Sequence, residues 1–233
     1  MTDTIEARLT TVHENIARAC ADCGRDPAEV TLVAVSKMKP ASAIRDALAT
    51  GQLHFGENYA QQLRDKAAEL GVGPAVAGGP AQPIWHYIGP LQRNKVKYVV
   101  GTAALVHAVD SEKLGAAIAK RSGDHCTDIL VQVNIGLEDT KSGVDPTQAM
   151  GLCETLHQLP GVRLRGLMCI PPWGVGEQAA RRWFQGMADL REEGRAKGLP
   201  LDYLSMGMSD DYALAIAYGA THVRVGTAIF GAR

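Results

Sequence analysis

Eight short apolar runs, most of them rich in β-branched residues, alternate with longer segments of helical pattern from residue 31 to the end of the chain. The runs are Thr31–Ser36, Leu53–Gly56, Ile84–Ile88, Leu105–Val109, Asp128–Asn134, Leu164–Ile170, Leu201–Met206 and Thr221–Gly226. The helical segments between them lie near 40–50, 57–70, 91–100, 111–122, 145–158, 176–197 and 209–218. Such alternation is typical of βα units that build a parallel sheet.

The number of strands favours a closed barrel over an open sheet. A further amphipathic helix, from about Thr4 to Cys23, precedes the first run and covers the remaining gap of an eight-stranded barrel. An open doubly wound sheet usually has fewer strands, and its common nucleotide-binding form carries a glycine fingerprint after the first strand. The first run ends instead in Ser-Lys-Met-Lys-Pro at 36–40. We therefore predict an α/β fold, a single (β/α)8 TIM-type barrel with an extra N-terminal helix.

Length and charge indicate one domain that binds neither nucleic acid nor membrane. The 233 residues approach the roughly 250 of a typical barrel, so we expect residues 1–233 to form a single domain. The segment Gly71–Pro83 is rich in Gly, Ala and Pro, and we interpret it as a surface loop because the βα rhythm resumes at once. A net charge of -1 indicates no anionic partner surface. Charged residues within the first helix exclude a signal-peptide core or a membrane span.

The cysteines favour a reducing compartment. There are five, an odd number without framework spacing, so we expect a cytoplasmic protein. Cys20 and Cys23 have the C-x-x-C spacing of redox and zinc sites, but they lie on an amphipathic helix with no second pair. We interpret them as ordinary helix positions and predict no metal site.

In barrels of this kind the functional residues follow the carboxyl ends of the strands. Lys37 comes directly after the first apolar strand, which places its amine at the mouth of the barrel. Burial disfavours the ammonium form and so favours the neutral amine that attacks an aldehyde. The alternative is a solvated lysine at the start of a loop.

The loops after strands seven and eight commonly bind phosphate. Strand seven ends in Ser-Met-Gly-Met-Ser at 205–209 before a helix, a pattern that combines hydroxyl donors with close backbone approach. Ser209 is equally compatible with a plain N-cap. Gly226 and Thr227, after strand eight, would offer N–H groups and a hydroxyl to the same phosphate.

Arg224 shares a strand face with Gly226, and so points toward the ring of any ligand bound there. A guanidinium cannot lose its proton in a protein, so opposite a pyridine nitrogen it must be the donor. The ring would then stay unprotonated, a weaker electron sink than a pyridinium. The alternative is a structural arginine in a salt bridge. Taken together, Lys37, the phosphate loops and Arg224 form one coherent cofactor site.

Six motifs identify a family. They are Ala-Val-Ser-Lys at 34–37, Phe-Gly-Glu-Asn-Tyr at 55–59, Trp-His-Tyr-Ile-Gly-Pro-Leu-Gln-Arg-Asn-Lys at 85–95, Gly-Leu-Met-Cys-Ile-Pro at 166–171, Ser-Met-Gly-Met-Ser-Asp-Asp at 205–211 and Val-Arg-Val-Gly-Thr-Ala-Ile-Phe-Gly-Ala-Arg at 223–233. Over nearly its whole length the chain resembles the pyridoxal 5′-phosphate homeostasis proteins, whose single barrel is similar to the amino-terminal barrel of alanine racemase.

The resemblance implies pyridoxal 5′-phosphate (PLP) as the cofactor, with Lys37 as the Schiff-base lysine and Arg224 facing the pyridine nitrogen. It implies phosphate contacts from Ser205, Ser209, Gly226 and Thr227. Asn58 and His86 would line the ring's pocket, although each could equally serve as loop packing, and Met206 would pack against the ring.

The loop after strand five also matches the family pattern, with Asn134, Glu138 and Lys141. Lys141 is either a second aldehyde-accepting amine at the mouth or an exposed lysine on a polar loop.

The resemblance implies a protein that buffers and delivers PLP without catalysis of its own, with PLP-dependent apoenzymes as recipients. A racemase needs a proton donor or acceptor on both faces of the substrate carbanion, and Lys37 serves only one. Alanine racemases take the opposing tyrosine from a separate domain of the partner subunit, and we expect none here, because the chain stops at Arg233. Three alternatives stay open: an amino-acid racemase that uses Tyr59 or Tyr87, a class I aldolase, and a signalling protein that responds to cofactor occupancy.

Overall fold

A computed structural model describes residues 4–73, 81–138, 141–172, 174 and 176–231. Its eight strands are all parallel and close into a barrel in chain order. They are β1 (Thr31–Val35), β2 (His54–Glu57), β3 (Ile84–Tyr87), β4 (Leu105–Val109), β5 (Thr127–Val133), β6 (Val162–Cys169), β7 (Tyr203–Ser205) and β8 (His222–Val225). Closure is made by β1 and β8, with Thr31 opposite His222 and Ala34 opposite Val225. The predicted (β/α)8 barrel is confirmed.

Helices follow or connect the strands around the outside. They are α1 (Ile5–Asp22), α2 (Ala41–Ala49), α3 (Ala60–Leu70), α4 (Glu112–Ser122), α5 (Pro146–His157), α6 (Glu177–Ala196), α7 (Tyr212–Ala217) and α8 (Thr227–Phe230), with 3-10 turns at Pro27–Glu29 and Arg93–Tyr98. Most predicted helices differ from these only at their ends. Residues 74–80 of the loop predicted at Gly71–Pro83 lie outside the described residues.

Two segments depart from the predicted helices. The helix expected near 91–100 is a 3-10 helix, and its buried residue Val96 and its buried C-cap residue Val99 have the three-residue spacing that suits this tighter turn. The single turn of α8 was not predicted, since four residues are too few to show a helical period.

The first helix closes the outside of the barrel. Helix α1 packs against α2, α7 and α8, and it buries Leu9, Val12, Ile16 and Cys20 on one face. This position is the one predicted for the extra N-terminal helix. All five cysteines are free thiols. Within the described part of the chain, no helix has the length and apolarity to cross a bilayer.

The inside of the barrel is unusually polar. Branched aliphatic side chains dominate the interior of a typical barrel of this class. Here an apolar group of Leu105, Ala108, Leu130 and Met168 shares the barrel with polar side chains. The buried polar side chains include those of His86, His107, Ser205, His222 and Arg224. These buried polar groups lie behind the mouth of the barrel, where the predicted site is located.

Candidate functional site

A cavity of about 230 Å³ opens at the carboxyl ends of the strands. Six of the nine predicted cofactor residues line it: Lys37, Asn58, Ser209, Arg224, Gly226 and Thr227. Apolar walls come from Val35, Ile88, Ile170 and Met208, and Asp210 also borders it. Apolar walls with a few convergent polar groups are typical of small-molecule sites, and the volume lies just below the roughly 300 Å³ where drug-sized pockets begin. The size suits a ligand of one ring and one phosphate.

A larger hollow, of about 640 Å³, lies at the opposite end of the barrel beside Trp85, Thr127 and Arg163. It contains none of the predicted cofactor residues, and Thr127 stands at the amino end of its strand. Ligands of these barrels bind at the carboxyl ends. We therefore assign the smaller cavity as the candidate site.

A tight turn presents Lys37 to this cavity. The Lys39 N–H donates to the Ser36 carbonyl at 3.0 Å, which closes a turn with Lys37 and Met38 at its corners. Met38 has a φ of 61°, a left-handed conformation that is uncommon outside glycine. Its N–H donates to Gln62 Oε1 at 3.1 Å. The turn thus redirects the chain directly after β1 and leaves Lys37 half-buried at the cavity wall.

A buried ion pair supports the same turn from behind. Glu57 is fully buried, and its Oε1 accepts from Lys66 Nζ at 2.6 Å and from Ser36 Oγ at 2.7 Å. Lys66 Nζ also donates to the Ser36 carbonyl at 2.8 Å. Side chain and backbone of Ser36 are therefore both fixed, one residue before Lys37.

Arg224 brings a positive charge to the cavity without a carboxylate partner among the described residues. It is 4% exposed, and it donates from Nη1 to Ser205 Oγ at 2.6 Å and from Nη2 to the Cys169 carbonyl at 2.8 Å. Burial lowers the pKa of this guanidinium, but arginine remains charged in proteins. The salt-bridge alternative is therefore not what the structure shows, and donors remain for a ligand.

The two loops opposite Lys37 are built for close approach. Gly207 has a φ of +90°, and a Cβ there would lie 2.7 Å from the Cβ of Ala215. The Arg224 N–H donates to the Gly207 carbonyl at 3.0 Å, which ties the two loops together. Helix α7 begins only at Tyr212, so Ser209 is not its N-cap and its side chain borders the cavity instead.

Thr227 opens the turn after β8 and is exposed at the cavity. The Gly226 carbonyl accepts from the N–H groups of Ile229 and Phe230 at 3.0 and 2.9 Å. The first N–H groups of such a turn have no partner within it. They and the Thr227 hydroxyl are donors of the kind that binds a phosphate.

Asn58 supplies an observation that a ligand would explain. Its Oδ1 is buried and has no hydrogen-bond partner among the described residues. Buried polar atoms are nearly always paired, so an unpaired amide oxygen at a cavity wall indicates a polar group that belongs there. A ring substituent of PLP fits this requirement, as the Lys37 amine fits its aldehyde and the Ser209 and Thr227 hydroxyls fit its phosphate.

The other three predicted residues are not among the described residues that line the cavity. His86 is buried inside the barrel between two further histidines. Ser205 is fully buried and accepts from Arg224. Met206 belongs to the apolar core that the strands share with the helices, whereas Met208 borders the cavity.

The amine of Lys141 is engaged by partners in its own and a neighbouring loop. Its Nζ forms an ion pair with Glu138 and donates to the Pro171 carbonyl at 3.1 Å. Asn134 braces the same loop, since its Nδ2 donates to the Glu138 carbonyl at 2.9 Å. An ammonium in an ion pair is a poor nucleophile. The geometry therefore does not favour Lys141 as a second aldehyde-accepting amine.

Sequence reasoning missed the residues that act through others. Ser36, Glu57 and Lys66 support Lys37, and His107 lies behind Ser205. Two signals were available: a glutamate at the end of an apolar strand, and a histidine within the apolar run 105–109. No cluster of three or more His, Cys, Asp or Glu side chains in the described ranges could hold a metal ion.

Comparisons with known proteins show which family the chain belongs to. The family described as alanine racemase, N-terminal domain, matches residues 8–233. The pyridoxal phosphate homeostasis protein of Pseudomonas aeruginosa is 44% identical over 234 residues, which are 97% of each chain. That of Escherichia coli is 40% identical over 238 residues, 98% of this chain and 97% of the other.

A solved structure extends the likeness to three dimensions. PipY of Synechococcus elongatus, with PLP bound, superposes with a TM-score of 0.76 at 38% identity and covers 93% of this chain and 100% of its own. This chain therefore belongs to the alanine racemase N-terminal domain family and, within it, to the pyridoxal phosphate homeostasis proteins.

Proposed function

We propose that this protein binds PLP as a Schiff base on Lys37 and serves PLP homeostasis by buffering and delivering the cofactor, with little or no catalysis. One observation carries the proposal: a single cavity joins Lys37, Asn58 and Arg224 to Ser209 and Thr227. Among the described residues, the Asn58 amide oxygen has no hydrogen-bond partner and Arg224 has no carboxylate partner. The PLP-bound PipY structure supports the same ligand. We propose one domain over residues 1–233, and the cytoplasmic location stays a prediction.

Each residue has a distinct task in this proposal. The Lys37 nitrogen adds to the aldehyde carbon, and loss of water leaves a C=N bond that hydrolysis or a second amine reverses. Ser209, Gly226 and Thr227 anchor the phosphate. Arg224 donates to the ring nitrogen and so keeps it unprotonated. When bound, PLP supplies an electron sink, which this arrangement leaves weak.

The tyrosines argue against the racemase alternative. Tyr87 is buried, and its one hydroxyl proton is shared between the carbonyl oxygens of Asn58 and Pro90, which lie 3.1 and 3.0 Å from the hydroxyl oxygen. Burial raises its pKa to about 12, which opposes the phenolate that a second base requires. Tyr59 is 48% exposed and is not among the described residues lining the cavity. Loaded protein incubated with L-alanine or L-serine should form no D-isomer, and steady D-isomer production would establish the racemase instead.

The absorption spectrum tests the binding proposal. Protein mixed with PLP should show a visible band that borohydride bleaches, with the reduced label on the peptide that carries Lys37. Lys37→Ala should lack the band, while the matched control Lys141→Ala, at another lysine near the mouth, should keep it. A band that survives in Lys37→Ala, or none in the wild type, would refute the proposal. An aldolase without cofactor would be colourless.

Delivery is tested by transfer to an apoenzyme. We expect the loaded protein to reactivate a PLP-dependent apoenzyme, and Lys37→Ala incubated with the same PLP and desalted to transfer none. A phosphatase that destroys free PLP separates two routes: contact delivery survives it, and release into solution does not. Failure to reactivate any of several apoenzymes would restrict the protein to buffering.

A further inference from the structure

A chain of hydrogen-bonded side chains crosses the barrel interior. His54 Nδ1 lies 2.9 Å from His86 Nε2, and His86 Nδ1 lies 2.9 Å from His107 Nε2. His107 Nδ1 lies 2.8 Å from Ser205 Oγ, which accepts from Arg224 Nη1 at 2.6 Å. Three histidines and a serine thus connect the first residue of β2 with the arginine at the cofactor cavity.

This row of hydrogen-bonded side chains is almost fully removed from water. His86, His107 and Ser205 are 3%, 0% and 0% exposed, while His54 is partly exposed at the amino end of its strand. Buried polar groups are costly unless they are paired, so each member needs its neighbour.

Arg224 sets the direction of every hydrogen bond in the chain. A guanidinium only donates, so Ser205 Oγ accepts from it. Among the described residues, His107 Nδ1 is the one group within hydrogen-bond distance that can accept the proton of the Ser205 hydroxyl, so the proton of this buried hydroxyl goes there. A neutral imidazole with a bare Nδ1 carries its proton on Nε2, so His107 donates to His86, and His86 in turn donates to His54.

The surroundings favour neutral rings throughout. Burial, followed by the charges of neighbouring groups, lowers the pKa values of His86 and His107 well below 6.5. The ring of His222 lies 5.8 and 5.9 Å from those of His86 and His107, and burial lowers its own pKa to about 3. A positive ring at His107 or His222 would also be repelled by the charge of Arg224.

We propose that His107 and His86 are positioning residues that, through Ser205, hold the Arg224 guanidinium in the orientation that meets the ring nitrogen of the cofactor. The three histidines of the chain each carry one proton, on Nε2. The role toward the cofactor ring rests on the proposed function, whereas the donor-to-acceptor direction of these hydrogen bonds does not.

Nitrogen NMR of the imidazole rings tests the direction in the protein without ligand. At pH 7.5 we expect His86 and His107, assigned by single substitutions, to be neutral with the proton on Nε2. A proton on Nδ1 of either ring, or a charged ring, would overturn the inference. This outcome is independent of whether PLP binds.

A matched pair of variants at His107 tests the positioning role. In His107→Asn the amide oxygen takes the place of Nδ1 and keeps the acceptor for Ser205. In His107→Gln the amide nitrogen takes the place of Nε2 and keeps only the donor to His86. Each variant leaves one buried group unpaired, so both should lose similar stability.

Ligand binding should separate the two variants. We expect His107→Gln to bind PLP about 10-fold more weakly than His107→Asn, with a displaced visible band, because only the glutamine variant releases Ser205 and Arg224. Equal affinities and identical bands in the two variants would overturn the proposal. Absence of a band in the wild type would instead refute the proposed function.

Discussion

The buried ion pair behind Lys37 gives the sharpest test of how this fold supports its site. Lys66→Met removes the cation from Glu57, a fully buried carboxylate, and leaves Ser36 Oγ as its remaining described partner. Breaking a buried pair from one side costs about 3–5 kcal/mol. For a chain of this size that corresponds to a fall in Tm of about 6–20 °C.

Thermal unfolding by circular dichroism, with urea titration for the free energy, measures this loss. Glu57→Gln/Lys66→Met should recover much of it, because neither member of the pair then carries a charge. Lys197→Met is the matched control, since Lys197 pairs with glutamates on an exposed surface and its loss should barely change Tm. A single variant that unfolds within 1 °C of the wild type, or a double variant as unstable as Lys66→Met, would refute the reasoning.

Three further outcomes follow from the same structure. Burial lowers the pKa values of His86, His107 and His222, so the unfolded chain takes up protons below pH about 6.5 that the folded chain does not. The free energy of unfolding should therefore fall from pH 7 to pH 5, by up to about 1.4 kcal/mol per pH unit for each ring, and the urea midpoint with it. An unchanged midpoint would contradict the burial of these rings as neutral groups. Met38→Gly should raise the free energy of unfolding by about 0.5–1 kcal/mol, because relief of the left-handed φ outweighs the entropic cost of a glycine. A loss of stability would show that no strain is stored at this residue. Thr227→Val should weaken PLP binding by about 10-fold at unchanged Tm, measured by equilibrium titration of the visible band. An unaltered affinity would show that Thr227 does not contact the phosphate.

Much of the fold is readable from the sequence because it depends on repeating local patterns. The eight runs alternate with helices at regular spacing, and no competing topology accommodates so many βα units as simply. Helix ends were predicted less accurately. The helix expected from 209, for example, begins at Tyr212, after a turn in which Asp211 Oδ1 accepts from the Met208 N–H at 2.6 Å.

Five of the six predicted residues that line the cavity, Lys37, Ser209, Arg224, Gly226 and Thr227, could be selected from their positions at strand ends, whereas Asn58 came from the family resemblance. Residues that support these side chains without lining the cavity could not be selected in this way. Lys66 lies nine residues after Glu57 on a helix, and His107 meets Ser205 across 98 positions of the chain. Packing of α3 against β2 brings Lys66 to Glu57, and formation of the barrel brings His107 to Ser205; no local sequence pattern records either contact.

A crystal structure of the protein soaked with PLP tests the central claim most directly. The account predicts continuous density from Lys37 Nζ to the ligand, a phosphate within hydrogen-bond distance of Ser209 and Thr227, and Arg224 at the ring nitrogen. A ligand bound elsewhere, or one in this cavity with its phosphate turned away from those two residues, would contradict it.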